Sequence, residues 1–121
     1  MVKIWALPER ERVMLVFRGK VLATELPEAE SQLRAALALL GTAFDIIADI
    51  SEAEPLGTDA MGGVQRLADL VLPAGLRTHI RVVGRSVQTA LQFDRISRAA
   101  GYESRLAFSL KEAEGLLDGN P

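Results

Sequence analysis

Short apolar runs alternate with helical patterns along the chain, as is typical of a β-sheet covered by helices. A polar segment that begins at Pro8 separates the apolar residues Ile4–Leu7 from Val13–Phe17, and this arrangement predicts an opening β-hairpin. Further buried strands are predicted over 44–50, 78–84 and 102–108.

Apolar residues recur at steps of three and four positions in the segments between these strands, which predicts amphipathic helices. The helices are expected over 27–40, 58–72, 86–100 and 109–117. Ser86 and Ser109 are expected to cap the last two helices. The order ββαβαβαβα predicts one α/β domain over 1–121, in which the sheet is mostly parallel after the hairpin and is flanked by helices. Residues 118–121 are expected to form a frayed tail.

The composition excludes several kinds of chemistry. The 121 residues include no cysteine and a single histidine, His79, so disulfides, thiolate metal sites, cysteine nucleophiles and Ser–His–Asp catalysis lack the residues they need. We therefore expect no metal, no cofactor and no catalytic residues. The longest apolar run, Ala35–Leu40, is too short to cross a membrane, and a small domain without disulfides is consistent with the cytoplasm.

Charge is distributed unevenly along the chain. The net charge of −2 argues against general affinity for nucleic acids. Residues 41–60 carry acidic side chains and no basic ones, whereas arginines dominate residues 77–98. These segments are either solvated loops whose charges partly neutralise each other, or a surface with both negative and positive charges that binds a protein partner.

The start of the second predicted helix is the most unusual segment of the chain. It is formed by Gly57, Thr58, Asp59, Ala60, Met61, Gly62 and Gly63. Thr58 is expected to cap the helix, and Asp59 lies in the first turn, where the helix dipole favours a negative charge. Two glycines in a helix destabilise it by about 1 kcal/mol each relative to alanine. We infer that something packs closely there, either a neighbouring part of this chain or a partner.

Other polar residues give weaker indications of function. Asp45 and Asp49 lie too far apart along one strand to share a catalytic site and are expected in solvated loops. His79, at the head of a strand, is expected to be structural. Trp5 lies on a predicted edge strand, where it either packs internally or contributes to a homodimer interface. No phosphate-binding glycine motif is present, and Asp59 would repel a phosphate at its helix.

Three stretches, together with the order of the elements, resemble the STAS domain family of anti-sigma-factor antagonists. They are Phe17–Val21, Phe44–Ser51 and Thr78–Ser86. The family motif Asp-Ser-Ser-Gly-Leu-Gly would fall on Gly57–Gly62, where this sequence departs from it at several positions.

The resemblance implies a protein–protein interaction module of bacterial signalling rather than an enzyme. In the family, a partner kinase phosphorylates the second hydroxyl residue of the motif, which controls partner exchange. Asp59 occupies that position here, so the resemblance implies no kinase switch at this residue. A carboxylate carries less charge than a phosphate and would mimic the modified state permanently and only in part. Thr58, at the first hydroxyl position of the motif, is the other candidate for phosphorylation.

Two alternative functions stay open at this stage. Phe44–Ile50 also resembles the third strand of response-regulator receiver domains, with Asp49 at the phosphoacceptor position and Ser86 after the next strand. However, receivers need an acidic pair after their first strand, and this chain has Arg18-Gly19-Lys20 there. The other alternative is a small-ligand-binding domain that uses the crevice at the carboxyl ends of the strands.

Overall fold

The computed structural model describes residues 1–119, which begin with a β-hairpin. Strand β1 (Val2–Leu7) pairs antiparallel with β2 (Arg12–Gly19), so that Trp5 lies opposite Met14. Pro8 lacks the backbone N–H that a strand would need, and a short 3₁₀ turn over Pro8–Arg10 reverses the chain. The predicted hairpin is confirmed.

Helices and parallel strands alternate through the rest of the described chain, as the hydrophobic pattern predicts. A 3₁₀ turn over Ala23–Glu25 precedes the first helix. The elements that follow are α1 (Leu26–Ala38), β3 (Phe44–Ala53), α2 (Thr58–Ala74), β4 (Leu76–Val82), α3 (Val87–Ala99), β5 (Arg105–Ala107) and α4 (Leu110–Asp118).

Within residues 1–119, the five strands form one sheet in the order β1-β2-β3-β4-β5. Only the β1–β2 pair is antiparallel, and each later neighbouring pair is parallel. The predicted single α/β domain with a mixed, mostly parallel sheet is therefore confirmed. In this order the carboxyl ends of β2, β3, β4 and β5 all lie at one edge of the sheet.

The two faces of the sheet are covered unequally. One face packs against α1, α2 and α3 around a large core that includes Leu33, Phe44, Leu67 and Phe93. The other face packs against α4 through a smaller core that includes Ile47, Ile80 and Ala113. The apolar residues of β1, β2 and β3 alternate between these cores, because successive side chains of a strand point to opposite faces.

Several predicted boundaries are wrong by a few residues. The last strand, expected over 102–108, is only Arg105–Ala107, because these are the residues that pair with β4, and β4 itself is Leu76–Val82 where 78–84 was expected. Strand β3 continues to Ala53, where a loop was expected, because Glu52 and Ala53 pair with Arg18 and Gly19 at the end of β2. Helix α2 includes Pro73, which was expected beyond the helix. It ends instead at Gly75, whose positive φ of 117° lets its N–H bond the last carbonyls of the helix.

The end of α4 is anchored rather than frayed at Asp118. Arg12 of β2 is 3% exposed, and its guanidinium donates a 2.6 Å hydrogen bond to the Asp118 carboxylate. This bond lowers the pKa of Asp118. Gly119 caps the helix, and the rest of the predicted tail, residues 120–121, lies outside the described residues.

Candidate functional site

The loops at the carboxyl ends of the parallel strands form the candidate site. They follow β2, β3, β4 and β5, and α2, α3 and α4 begin directly beyond three of them. Crevices at this edge of a sheet are the usual binding position in α/β proteins, because loops from neighbouring strands converge there. The predicted segment Gly57–Gly63 lies in this position, after β3.

Helix α2 begins without a side-chain cap. Its N-cap residue is Gly57, whose carbonyl accepts hydrogen bonds from the N–H groups of Ala60 and Met61 at 3.1 and 3.2 Å. The expected cap by the Thr58 hydroxyl is wrong, because Thr58 is already inside the helix and Gly57 supplies the extended backbone at its start. The side chains of Thr58 and Asp59 are exposed at this edge, and that leaves both accessible.

The inward side of the same segment belongs to the core. Ala60 is fully buried, and Met61 is partly buried against the larger core. The seven predicted residues therefore divide into an exposed group and an inward group. Gly57, Thr58, Asp59 and Gly62 are exposed, while Ala60, Met61 and Gly63 turn partly or wholly inward.

The two helical glycines have different surroundings. A methyl group on Gly63 would lie 2.9 Å from the Cβ atom of Leu26 and closer still to its Cδ1, so α1 is what packs against this backbone. A methyl group on Gly62 would meet no atom of the described residues within 4 Å. The expected close packing therefore occurs at Gly63, where this chain's own helix provides it, and not at Gly62.

A groove of about 420 Å³ runs beside this segment, between the beginnings of α1 and α2. Asp59, Gly63 and Arg66 of α2 line one side. Ala23, Leu26, Pro27 and Glu30 line the other side. The groove places a carboxylate and a guanidinium of α2 beside a partly apolar wall, a combination that suits contact with a protein chain.

The loop before α2 is held by a side chain that the sequence analysis missed. Gln92 of α3 accepts a 2.6 Å hydrogen bond from the N–H of Leu56 and donates a 3.0 Å bond to the carbonyl of the same residue. One turn earlier on α3, the Thr89 hydroxyl donates to the carbonyl of Ala53 at 3.3 Å. These bonds fix the loop from Ala53 to Gly57 against α3 and thereby set where α2 begins.

Exposed apolar side chains at the same edge were also missed. Leu22 follows β2, Val87 follows β4 and Phe108 follows β5, and the last two are 71% and 74% exposed. Single exposed apolar residues are common, but these three follow β2, β4 and β5, whose carboxyl ends lie at the same edge of the sheet. That shared position adds apolar contact area to the candidate site.

The acidic segment 41–60 and the arginine-rich segment 77–98 are joined by an ion pair between neighbouring strands of the sheet. Asp45, expected in a solvated loop, is a buried residue of β3 and accepts two hydrogen bonds from Arg77, at 3.0 and 3.1 Å. This pairing raises the pKa of Arg77. The expectation is wrong for Asp45 because Arg77 of the neighbouring strand covers it. Asp59 and Arg85 remain exposed at the carboxyl edge.

Neither Asp49 nor His79 is arranged for catalysis. The Asp49 carboxylate accepts hydrogen bonds from the N–H and the hydroxyl of Ser51, at 3.0 and 2.6 Å. Burial, together with the charge of Arg81, lowers the pKa of His79 to about 3, so its imidazole is neutral at pH 7. His79 Nδ1 lies 2.7 Å from the Ser104 hydroxyl, which agrees with a structural role.

Helices of membrane-spanning length and hydropathy are absent from residues 1–119. The fold and the site define a class: an α/β domain with a five-stranded mixed sheet, an opening antiparallel hairpin and an exposed, glycine-rich helix start after its third strand. The strand order differs from the all-parallel 2-1-3-4-5 order of receiver domains. The chain therefore does not have the receiver fold.

Three solved structures with this fold are described as anti-sigma factor antagonists. The unphosphorylated antagonist SpoIIAA is 15% identical, with a TM-score of 0.63 over 98% of this chain and 99% of that chain. A proposed antagonist from Thermotoga maritima is 12% identical, with a TM-score of 0.63 over 98% of this chain and 95% of that chain. An antagonist from Mycobacterium paratuberculosis is 13% identical, with a TM-score of 0.60 over 98% of this chain and 95% of that chain. No family model and no curated protein matches the sequence.

The fold expected from the resemblance to STAS domains is thus confirmed: the described chain has the fold of the anti-sigma factor antagonists.

Proposed function

We propose that this chain is a non-enzymatic regulatory module that binds a protein partner through the start of α2 and the neighbouring carboxyl-edge loops. The observation that carries the proposal is the helix start without a side-chain cap, where Gly57 is the N-cap residue and Thr58 and Asp59 are exposed. The groove beside Asp59 and the exposed Val87 and Phe108 extend the surface available to a partner.

The partner we propose is a signalling protein, such as a kinase-like regulator, and the likeness to anti-sigma factor antagonists supports this class. Action in the cytoplasm is part of the same proposal.

Asp59 makes the proposed interaction independent of phosphorylation at that position. Its carboxylate cannot accept a phosphate from a serine/threonine kinase and provides one fixed negative charge in the first turn of α2. Thr58 is the remaining hydroxyl residue of the motif. It is exposed, which keeps it a candidate for modification, and a phosphate there would add a second negative charge beside Asp59.

The proposal is tested by comparing partner capture by the wild type and by Asp59→Arg. Each immobilised protein is incubated with lysate of the source cells, and bound proteins are identified by mass spectrometry. Asp59→Arg should reduce recovery of the specific partner at least tenfold, because it reverses the charge at the centre of the surface. The matched control is Glu9→Arg, which makes the same exchange at an exposed residue in the β1–β2 turn.

Glu9→Arg should recover the partner as well as the wild type does. Equal recovery by Asp59→Arg, with its folding confirmed by circular dichroism, would remove the start of α2 from the interface.

We also propose that β1 allows the chain to pair with a second copy. Trp5 lies on this edge strand and is 41% exposed. It is on the same face of the sheet as α4, which packs on β3, β4 and β5. Light scattering should show a dimer for the wild type and a monomer for Trp5→Glu. An unchanged mass for this variant would exclude Trp5 from any self-association.

A further inference from the structure

The two outermost strands of the sheet, β1 and β5, are protected differently. Beside β1 lies α1, whose Gln32 side chain accepts a 3.2 Å hydrogen bond from the N–H of Ile4. One outward N–H group of β1 is therefore already bonded. Strand β5 has only three residues, Arg105–Ala107, and no side chain among residues 1–119 bonds to its backbone. An unprotected outer strand is a template on which another extended chain can pair.

The backbone of Leu106 points away from β4. In a parallel pair, alternate residues of a strand direct both their N–H and their C=O groups to the neighbouring strand. Ala107, which pairs with Val82, accepts a 3.0 Å hydrogen bond from the N–H of Val83. Ala107 therefore bonds to β4, and the N–H and C=O groups of Leu106, one residue earlier, face outward. Both groups are available to an added strand.

The side chains of β5 combine apolar surface with positive charge. Leu106 is 54% exposed. It lies on the α3 face of the sheet, because its register partner Arg81 bonds to α3 from that face. Leu91 of α3 is also exposed, at 53%. Arg105 is exposed on the opposite face, since successive side chains of a strand alternate. An added strand would therefore meet a leucine on one face and an arginine on the other.

The carboxylates of this chain do not neutralise the positive charge at β5. Arg105 forms no ion pair among residues 1–119, and the same holds for Arg85, which follows β4. Glu103, just before β5, is already paired with Arg98 at 3.4 Å. The adjacent residues Lys111–Glu112, at the start of α4, carry opposite charges that cancel. The outer side of β5 therefore keeps an excess of positive charge.

This charge selects the kind of chain that can pair with β5. A second copy would be repelled, because two β5 strands would bring two Arg105 side chains close together and β1 carries Lys3. An acidic segment would be attracted. In an added strand, the residue opposite Arg105 shares its face, and the next residue shares the face of Leu106. The matching segment therefore alternates acidic and apolar residues.

We infer that β5 binds an extended segment of another protein in which acidic and apolar residues alternate, and that this segment extends the sheet as an added strand. Backbone hydrogen bonds to Leu106 provide the affinity, and the contact of an acidic side chain with Arg105 sets the register. The site is separate from the proposed docking surface at the start of α2. Its test uses only the purified chain and synthetic peptides, so its failure and the failure of the proposed function are distinguishable.

Amide NMR spectra of the wild type, titrated with three peptides at low ionic strength, test the inference. The first peptide alternates glutamate and valine, the second has lysine in place of each glutamate, and the third is the first with its backbone nitrogens methylated. The first should shift the amide signals of residues 104–108 saturably and slow hydrogen exchange at the Leu106 amide. The other two should do neither, because one reverses the charge and the other lacks N–H donors.

Three results of these titrations would overturn the inference. The first is that the acidic peptide leaves the signals of residues 104–108 unchanged. The second is that the lysine peptide or the methylated peptide binds as tightly as the acidic one. The third is that the same signals shift with protein concentration in the absence of peptide, which would show that a second copy occupies β5.

The variant Arg105→Glu tests the contact that sets the register. It should weaken binding of the acidic peptide about five- to tenfold, because like charges directly opposite each other destabilise a strand pair. The matched control is Lys3→Glu, which makes the same charge reversal at an exposed residue of the other outer strand and should bind as the wild type does. Equal binding by the wild type and by Arg105→Glu, with unchanged signals outside residues 103–109 as evidence of its fold, would overturn the inference.

Discussion

Helices α2 and α3 begin beside each other, after the adjacent strands β3 and β4, but their first turns are built differently. Helix α3 begins at a serine cap, in which Ser86 Oγ accepts a 3.1 Å hydrogen bond from the N–H of Thr89. Its first turn is then fixed by the Thr89 hydroxyl, which bonds to Ser86 at 2.8 Å and to β3. Helix α2 has a glycine cap, two further glycines and two exposed polar side chains.

The difference indicates what each helix start is for. The polar side chains of the α3 start are used in intramolecular bonds, which stabilise the fold. Those at the α2 start are left exposed in a helix that is weakened by Gly62, whose surroundings are open. Because substitutions that add local stability are easily available, an unoptimised helix start at the carboxyl edge is consistent with selection for binding.

The largest expected effect concerns the contact between α1 and α2. Gly63→Ala should lower the free energy of unfolding by about 1–3 kcal/mol, because the added methyl group meets Leu26 and forces the two helices apart. Urea unfolding followed by circular dichroism measures this change. An unchanged midpoint would mean that α1 and α2 do not pack this closely in solution.

The next effect concerns the bonds that tie the two helix starts together. Gln92→Ala should lower the free energy of unfolding by about 2 kcal/mol, because it leaves the partly buried N–H and carbonyl of Leu56 without their partner. It should also speed hydrogen exchange at the Leu56 amide. Gln88→Ala, at an exposed glutamine one turn earlier, is the control and should change neither quantity.

A pair of hydroxyl deletions compares the caps directly. Ser86→Ala should lower the free energy of unfolding by about 1 kcal/mol, because it removes the cap of α3. Thr58→Ala should change it by less than about 0.5 kcal/mol, since the Thr58 hydroxyl caps nothing. If both substitutions are equally destabilising in urea unfolding, Thr58 caps α2 in solution and the contrast between the helices disappears.

The smallest expected effect is an increase in stability, whereas the preceding substitutions lower it or leave it nearly unchanged. Gly62→Ala should raise the free energy of unfolding by about 0.5–1 kcal/mol, because the added methyl group has free space and alanine restricts the unfolded chain. Differential scanning calorimetry would show a higher midpoint. Weaker capture of the partner by this more stable variant would place Gly62 in the interface, whereas a lower midpoint would contradict the open surroundings of this residue.

Much of the fold could be predicted because hydrophobic periodicity is a local signal. The runs Val13–Phe17 and Phe44–Ile50, and the serines before α3 and α4, identify strands and helix starts from neighbouring residues alone. The errors at Ser51–Ala53 and Pro73 arise where pairing with β2 or a cap at Gly75 decides the boundary.

The candidate site was only partly predictable, for a physical reason. Glycines and charges mark the α2 start in the sequence, but the bonds of Gln92 join residues 36 positions apart, which no local pattern shows. Similarly, the alternation of polar and apolar residues in β4 shows that its two faces differ. It does not show that helices cover both, and so it could not place Arg81 in the core.

The bond between Arg12 and Asp118 sets a limit on how far the chain can be shortened for laboratory use. Any piece that ends before Asp118 would remove the only carboxylate among residues 1–119 that bonds this guanidinium. It would also cut the final turn from the helix that shields Ile47 and Ile80. Expression fragments and fusion junctions should therefore keep residues up to Gly119, so that the second face of the sheet stays closed.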